Sequence, residues 1–215
     1  MSSVGVLSYL ERLRLIIEQA YTILCNKIAG NEIQIKNEAS MQLQLGSILR
    51  TVGQLYEFTP ADHFQIELET PEDISETLKS KKGARCDIKL AFFEGRQSTA
   101  KAKAFIELKY FKKAKDSSTS ETFTDNRLSV LMDLENLEHY QNELKDPNAP
   151  KPLCYEIVLA QNKSYCFPTR NVKYNIGEGE SYPNEEKEKE IRLKNKYTFH
   201  WVQYGEEHYW LIISI

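Results

Sequence analysis

The chain has 215 residues, 41% of them hydrophobic and 27% charged, with a net charge of −3. This size and composition are typical of one globular domain, predicted to span residues 1–215. Nowhere do 18 apolar residues follow one another, which excludes a helical membrane span, and residues 1–14 lack the pattern of a secretion signal. A cytoplasmic location is therefore the expectation.

Several common kinds of site are also excluded. The four cysteines, at positions 25, 86, 154 and 166, form no CxxC pair, and the four histidines form no HExxH spacing. The chain contains no P-loop, no dinucleotide-binding glycine motif and no nucleophile elbow. We predict reduced cysteines in the core and no zinc site.

Hydrophobic periodicity, caps and turn residues predict the elements. The predicted subdivision is an N-terminal helix within 1–30, a core at 33–160 and a C-terminal extension with a hairpin at 161–215. In chain order, the predicted elements are a helix at Val4–Ile28, a helix from Ile33 or Asn37 to Tyr56, a strand at Phe64–Leu68, paired strands at Cys86–Phe93 and Ala104–Phe111, a helix at Asp125–Leu144 capped by Thr124 or Asp125, a strand at Leu153–Ala160, a short segment at Ser164–Phe167 pairing with it, and a hairpin of Thr198–Tyr204 with His208–Ile215.

The paired strands at Cys86–Phe93 and Ala104–Phe111 carry the candidate site. If their connection folds about Gln97, Asp87 lies directly across from Glu107. Glu107 and Lys109 are two residues apart, so alternation along a strand puts both side chains on one face. Two carboxylates and a lysine in an otherwise apolar hairpin are costly for structure alone.

Such a group has the chemistry of a magnesium-dependent phosphodiesterase. Mg²⁺ is commonly held by one or two carboxylates together with water and substrate oxygens, so Asp87 and Glu107 suffice as side-chain ligands, with Mn²⁺ as the alternative ion. Lys109 would orient the attacking water or stabilise the negative charge that develops.

The surrounding charge favours a nucleic-acid substrate. Residues 79–115 contain twelve Lys or Arg against three acids, a net +9 in a chain of −3, so the remainder carries −12. A basic zone around buried carboxylates is a plausible footprint for a phosphate backbone. The alternative is a solvated strand edge protected by lysines.

The chain resembles the PD-(D/E)XK nuclease superfamily, which includes many type II restriction endonucleases. The resemblance is carried by the order of these elements, by Asp87 and by the segment Ile106-Glu-Leu-Lys-Tyr110. The resemblance covers roughly residues 33–160. It implies an α/β fold with a restriction-endonuclease-like αβββαβ core, in which helices flank a central mixed sheet. It also implies a Mg²⁺-dependent deoxyribonuclease of restriction or repair type.

The resemblance assigns roles residue by residue. Asp87 and Glu107 would bind the metal, the main-chain carbonyl of Leu108 would join them, and Lys109 would assist the water. Glu38, at the start of the second helix, matches the helix-borne glutamate of many members, although a glutamate there also favours the positive end of the helix dipole. Cys86 departs from the motif, because it stands where the family name has proline.

Two other interpretations stay open. The chain could be an inactive relative that binds DNA or a protein. It could also be an interaction protein in which Asp87–Lys109 and Glu107–Lys103 are structural ion pairs. DNA versus RNA, endonuclease versus exonuclease, and a homodimer through the first helix or the final hairpin are not decided by the sequence.

Overall fold

The computed structural model describes residues 7–71, 85–97, 99–112, 120–142, 150–168, 174–182 and 191–215. Two helices precede the first strand. Helix α1 spans Tyr9–Ala29 and begins after Ser8, whose hydroxyl and main-chain nitrogen form a capping box with Glu11. The predicted start at Val4 lies outside the described residues. Because Ser8 caps the helix, α1 begins several residues later than predicted.

Helix α2 spans Glu38–Gln54, and Asn37 caps it through a hydrogen bond from Ser40 N to Asn37 Oδ1. Glu38 is therefore the first helical residue. A Cβ at Gly53 would collide with the ring of Phe64, so this glycine allows α2 to pack closely on the first strand. Close packing here fixes the C-terminal end of α2 against the sheet.

The elements that follow α2 are β1 Asp62–Pro71, β2 Arg85–Glu94, β3 Ala102–Phe111, α3 Ser120–Asn142, β4 Leu153–Ala160, β5 Ser181–Tyr182, β6 Tyr197–Thr198, β7 Trp201–Tyr204 and β8 His208–Ser214. A six-stranded mixed sheet forms the centre, in the spatial order β1-β2-β3-β4-β8-β7, and β5 and β6 form a separate two-stranded sheet. Among the described strands of the central sheet, β3 and β4 are the parallel pair, and α3 lies between them in the chain. The predicted α/β class with a mixed sheet and flanking helices is confirmed.

Side chains of β3 alternate between the two faces of the sheet. Ile106 and Leu108 belong to the core shared with α1 and α2. Phe105 and Phe111 pack instead with residues of α3. Glu107 lies between those two phenylalanines in sequence, so alternation places it on the α3 face of the sheet.

Helix α3 begins at Ser120, about one turn before the predicted caps Thr124 and Asp125. The predicted start of this helix was therefore wrong. The added turn includes Phe123, whose ring lies 4.7 Å from that of Tyr165 and extends the packed surface. Tertiary packing therefore overrides the local capping signal. The predicted end at Leu144 lies outside the described residues.

The C-terminal hairpin belongs to the main sheet. Strand β8 pairs with both β7 and β4, so the predicted hairpin adds two strands to that sheet. The prediction that Ser164–Phe167 pairs with β4 was wrong. Both edges of β4 are already occupied, by β3 and β8, and the chain after Asn162 turns through a hydrogen bond from Ser164 N to Asn162 Oδ1.

The cysteines are free thiols in the core, as predicted, and all four are buried. The apolar stripe of α1 packs against the sheet of its own chain. Among the described helices, none combines the length and apolar character needed to cross a membrane.

Candidate active site

The site lies where β2 and β3 separate. Their paired residues run from Phe92 with Ala102 to Ile88 with Ile106, which is the register predicted from a fold about Gln97. Asp87 is the next residue beyond the last pair. Its Oδ2 accepts a 2.7 Å hydrogen bond from the main-chain nitrogen of Leu108, so a carboxylate stands where a ladder carbonyl would be the usual acceptor.

A side chain of helix α2 holds the main-chain carbonyl of Asp87. The buried side-chain amide of Gln42 donates to the Asp87 carbonyl at 2.7 Å and to Glu69 Oε1 at 3.1 Å. Pairing between β1 and β2 skips Glu69 and Asp87, and Glu69 has a φ of +52°, a left-handed conformation that is unfavourable for a residue with a side chain. Asp87 thus lies at a local break in both of its strand pairings.

Glu107 has a second carboxylate beside it. Glu107 is only 4% exposed and is the register partner of Glu156 on β4, which is fully buried. Partners in register point to the same face of the sheet. Among the described residues, neither carboxylate oxygen of Glu156 has a hydrogen-bond partner. A buried carboxylate without a donor is a large local cost, so these strands carry more negative charge than their own structure satisfies.

Lys109 lies among acidic groups from helices α2 and α3. Its Nζ is 2.6 Å from Asp133 Oδ2 on α3 and 3.8 Å from Glu38 Oε1 on α2. It also donates to the Leu108 carbonyl at 3.2 Å. The amine therefore links the two helices with the strand that carries it.

The buried surroundings of the site raise the pKa values of its carboxyl groups. Burial raises the pKa of Asp87 to about 6, against the lowering effects of the Leu108 N–H and of Lys109. Burial, then the charges of Asp133 and Asp87, raise the pKa of Glu107 well above its usual range. Burial also raises the pKa values of Asp133 and Glu156.

The lysine responds in the opposite sense. Burial favours its neutral amine, but the surrounding carboxylates, Asp133 first, outweigh burial and raise the pKa of Lys109 above its usual range. The site therefore contains one firmly charged ammonium beside several carboxyl groups whose pKa values are raised. Such a site is electrostatically suited to receive further positive charge.

Every residue proposed from the sequence lies in this region. Asp87, Glu107, Leu108 and Lys109 come together at the separation of β2 and β3, and Glu38 approaches Lys109 from the start of α2. The alternative with ion pairs from Lys109 to Asp87 and from Lys103 to Glu107 predicted other partners. Within the part of the chain that the structure describes, Lys109 forms ion pairs with Asp133 and Glu38.

Three further residues were missed: Gln42, Asp133 and Glu156. A signal was present for two of them. Glu156 is an acid within the buried apolar strand Leu153–Ala160, and Asp133 interrupts the apolar face of α3 near Leu134 and Leu137. Acids in such positions are rarely buried without a partner or a function. Gln42 gave no comparable signal, because a single polar residue on an amphipathic helix is common.

The basic zone is described only in part. Two of its lysines are paired on the strand surface, Lys89 with Glu67 at 3.5 Å and Lys101 with Glu94 at 3.1 Å. Residues 79–84 and 113–115 lie outside the described residues. Its role in contacting phosphates stays a prediction.

In the ranges that the structure describes, no three His, Cys, Asp or Glu side chains are grouped in a way that could hold a metal ion. The predicted ligand set contains two carboxylates and one main-chain carbonyl, so it relies on water or substrate oxygens for the other positions. Comparisons of the chain with protein-family models, with curated proteins and with solved structures gave no match.

Proposed function

We propose that this chain is a Mg²⁺-dependent phosphodiesterase that cleaves DNA, with Mn²⁺ as an alternative cation. The observation that carries the proposal is the convergence of Asp87, Glu107 and Lys109 where β2 and β3 separate. The Asp87 carboxylate and the Lys109 amine are part-buried, and the Glu107 carboxylate is buried. Helices on both faces of the sheet contact this group. Structural ion pairing alone does not explain why carboxylates here outnumber the cation.

We further propose that the core is restriction-endonuclease-like. The run α2-β1-β2-β3-α3-β4 has the αβββαβ order, with an antiparallel β1-β2-β3 meander and β4 added in parallel to β3. The candidate residues lie on the second and third strands of that run and at the start of its first helix. This agreement between the order of elements and the position of the residues supports the family resemblance.

The donor set fits a divalent cation. Asp87 and Glu107 provide carboxylate oxygens and Leu108 a main-chain carbonyl, all hard ligands of the kind Mg²⁺ prefers. The unsatisfied oxygens of Glu156 and the raised pKa values of its neighbours indicate a deficit of positive charge. A bound divalent cation would polarise a water molecule and neutralise charge on the phosphate.

The remaining chemistry belongs to the chain. An ammonium has three N–H donors, and Lys109 donates one of them to the Leu108 carbonyl while its Nζ forms an ion pair with Asp133 Oδ2 at 2.6 Å. A further N–H can donate to a water or to a phosphate oxygen. Glu38 is 3.8 Å from the same amine and its side chain is 44% exposed, so it lies on the solvent side and can accept a hydrogen bond from an incoming water.

The test is cleavage of closed circular DNA, linear DNA and RNA, each with Mg²⁺, with Mn²⁺ and with EDTA. We expect cleavage of DNA that requires the divalent ion. Conversion of closed circles to nicked or linear forms identifies an endonuclease, whereas loss of linear DNA alone identifies an exonuclease.

Lys109→Met should abolish cleavage, and Lys151→Met is the matched control. Lys151 is exposed, lies outside the basic zone of residues 79–115 and loses the same charge. Equal cleavage by the two variants, or an inactive wild type under all of these conditions, would contradict the proposal.

A further inference from the structure

The amine of Lys109 is attached to a flexible side chain, yet it lies in a narrowly defined place. Four rotatable bonds separate a lysine amine from the backbone, so β3 alone does not fix it. Its shortest contact, 2.6 Å, is to Asp133 Oδ2. The side chains of Lys109 and Asp133 are 18% and 14% exposed, so solvent competes little for this pair.

Asp133 is itself well fixed. Its side chain is short, and the helix that carries it is anchored on both sides of it in sequence by Val130, Leu131, Leu134 and Leu137, all fully buried. Val130, Leu131 and Leu134 share a core with Phe111 of β3 and Val158 of β4. Core packing therefore fixes the distance from α3 to the end of β3. Because Asp133 is held on α3, its contact with the amine fixes where the amine lies.

We propose that Asp133 is the positioning residue of Lys109, holding its ammonium group in the orientation that the reaction uses. The inference rests on the proposed function for its kinetic consequence, but the contact and its structural role do not depend on activity. Asp133 lies outside the set of residues that the family resemblance assigned.

A neighbouring acid helps to separate contact from charge. Glu156 also acts electrostatically on Lys109, yet among the described residues no ion pair joins the two, whereas Asp133 Oδ2 lies 2.6 Å from the amine. If only nearby negative charge mattered, neutralising either acid would affect the amine similarly. If position matters, Asp133 is the residue whose replacement releases it.

Side-chain nitrogen NMR tests the contact directly in the protein without divalent ions. A lysine ammonium held by a carboxylate exchanges its protons slowly enough to give a resolved ¹H–¹⁵N correlation, and Lys109→Met identifies the signal of Lys109. We expect this signal in the wild type, its retention in Glu156→Gln and Asp125→Asn, and its loss in Asp133→Asn. Asp125 is an exposed acid on the same helix. Absence of the signal in the wild type, or its survival in Asp133→Asn, would overturn the inference.

Kinetics provide the second readout. Displacement of a reacting group by about 1 Å costs on the order of 100-fold in rate, so kcat of Asp133→Asn should fall by about that factor while KM changes by less than about twofold. Asp133→Glu restores the charge at a shifted distance and should recover part of kcat and of the ammonium signal.

If Asp133→Asn does not fold, as judged by its backbone NMR spectrum, Asp133→Glu decides the question. An unchanged ammonium frequency and an unchanged kcat in that variant would overturn the inference. An inactive wild type that keeps the ammonium signal would remove the proposed function alone.

Discussion

Glu107 and Glu156 are register partners on adjacent parallel strands, and both are buried on the same face of the sheet. Two carboxylates in this relation repel each other, and no residue in the described part of the chain donates a hydrogen bond to the oxygens of Glu156. A fold selected for stability alone would place apolar residues here, as it does at Val158 two positions along β4. The pair therefore indicates that this part of the sheet is not optimised for stability.

Glu156→Gln should stabilise the protein without divalent ions. Burial raises the pKa of Glu156 well above its usual range, so the folded state must either bury a charge or take up a proton at pH 7, and both lower the free energy of unfolding. An uncharged amide of the same shape avoids this cost. We expect the free energy of unfolding at pH 7 to rise by about 1 to 3 kcal/mol. Urea denaturation measures it, with the exposed Glu180→Gln as the control, for which we expect little change. A loss of stability in Glu156→Gln would show that its carboxylate is satisfied in solution.

Asp87→Asn should separate function from stability. The amide oxygen of asparagine can still accept from Leu108 N, so the local contact survives while the negative charge is removed. We expect divalent-ion-dependent cleavage to fall by at least about 100-fold and the free energy of unfolding to stay equal or rise. The interpretation with structural ion pairs predicts the reverse, a destabilised protein that never bound the ion, and calorimetry with Mg²⁺ distinguishes the two.

The hairpin could be predicted from the sequence in detail. Its register depended on one assumption, that the turn is centred on Gln97, and alternation then placed Glu107 and Lys109 on one face. Strand β4 was predicted with its observed bounds because its continuous apolar run is long enough for a strand and too short for most helices. Local patterns were sufficient wherever they matched the tertiary environment.

The partners of Lys109 could not be predicted in the same way. Asp133 is 24 positions further along the chain, and its approach depends on how α3 packs across the sheet. The direct contact of Gln42 with the Asp87 carbonyl likewise depends on how α2 packs on β1 and β2. The position of the predicted motif followed from alternation along strands, whereas the residues that support it come from helix packing.

The raised pKa of Asp87 predicts a dependence of stability on pH. Its folded value of about 6 lies above an unfolded value of about 3.9, so the folded state binds a proton more tightly. Stability contributed by this group is present below about pH 4 and is lost as pH rises to about 6, by about 2 to 3 kcal/mol in total. Asp87→Asn should therefore gain stability relative to the wild type across that window and show a constant difference above it. A difference that is flat from pH 4 to pH 7 would contradict the assignment.

Gln42→Leu should weaken the support of Asp87. The side-chain amide of Gln42 is the donor to the Asp87 carbonyl, and replacing it with an apolar group of similar size leaves that part-buried acceptor without this partner. We expect a loss of about 1 to 3 kcal/mol in the free energy of unfolding. Gln54→Leu, at the exposed end of the same helix, should change stability much less.

The same substitution should also act on the site. Gln42 joins Asp87 to Glu69, the residue with a left-handed φ, so its loss allows the interrupted stretch between β1 and β2 to relax. We expect amide hydrogen exchange to increase at Asp87 and Ile88 more than in the rest of β2, together with a lower cleavage rate. Uniform destabilisation without this local increase would mean that Gln42 supports the core and has no particular role in holding Asp87.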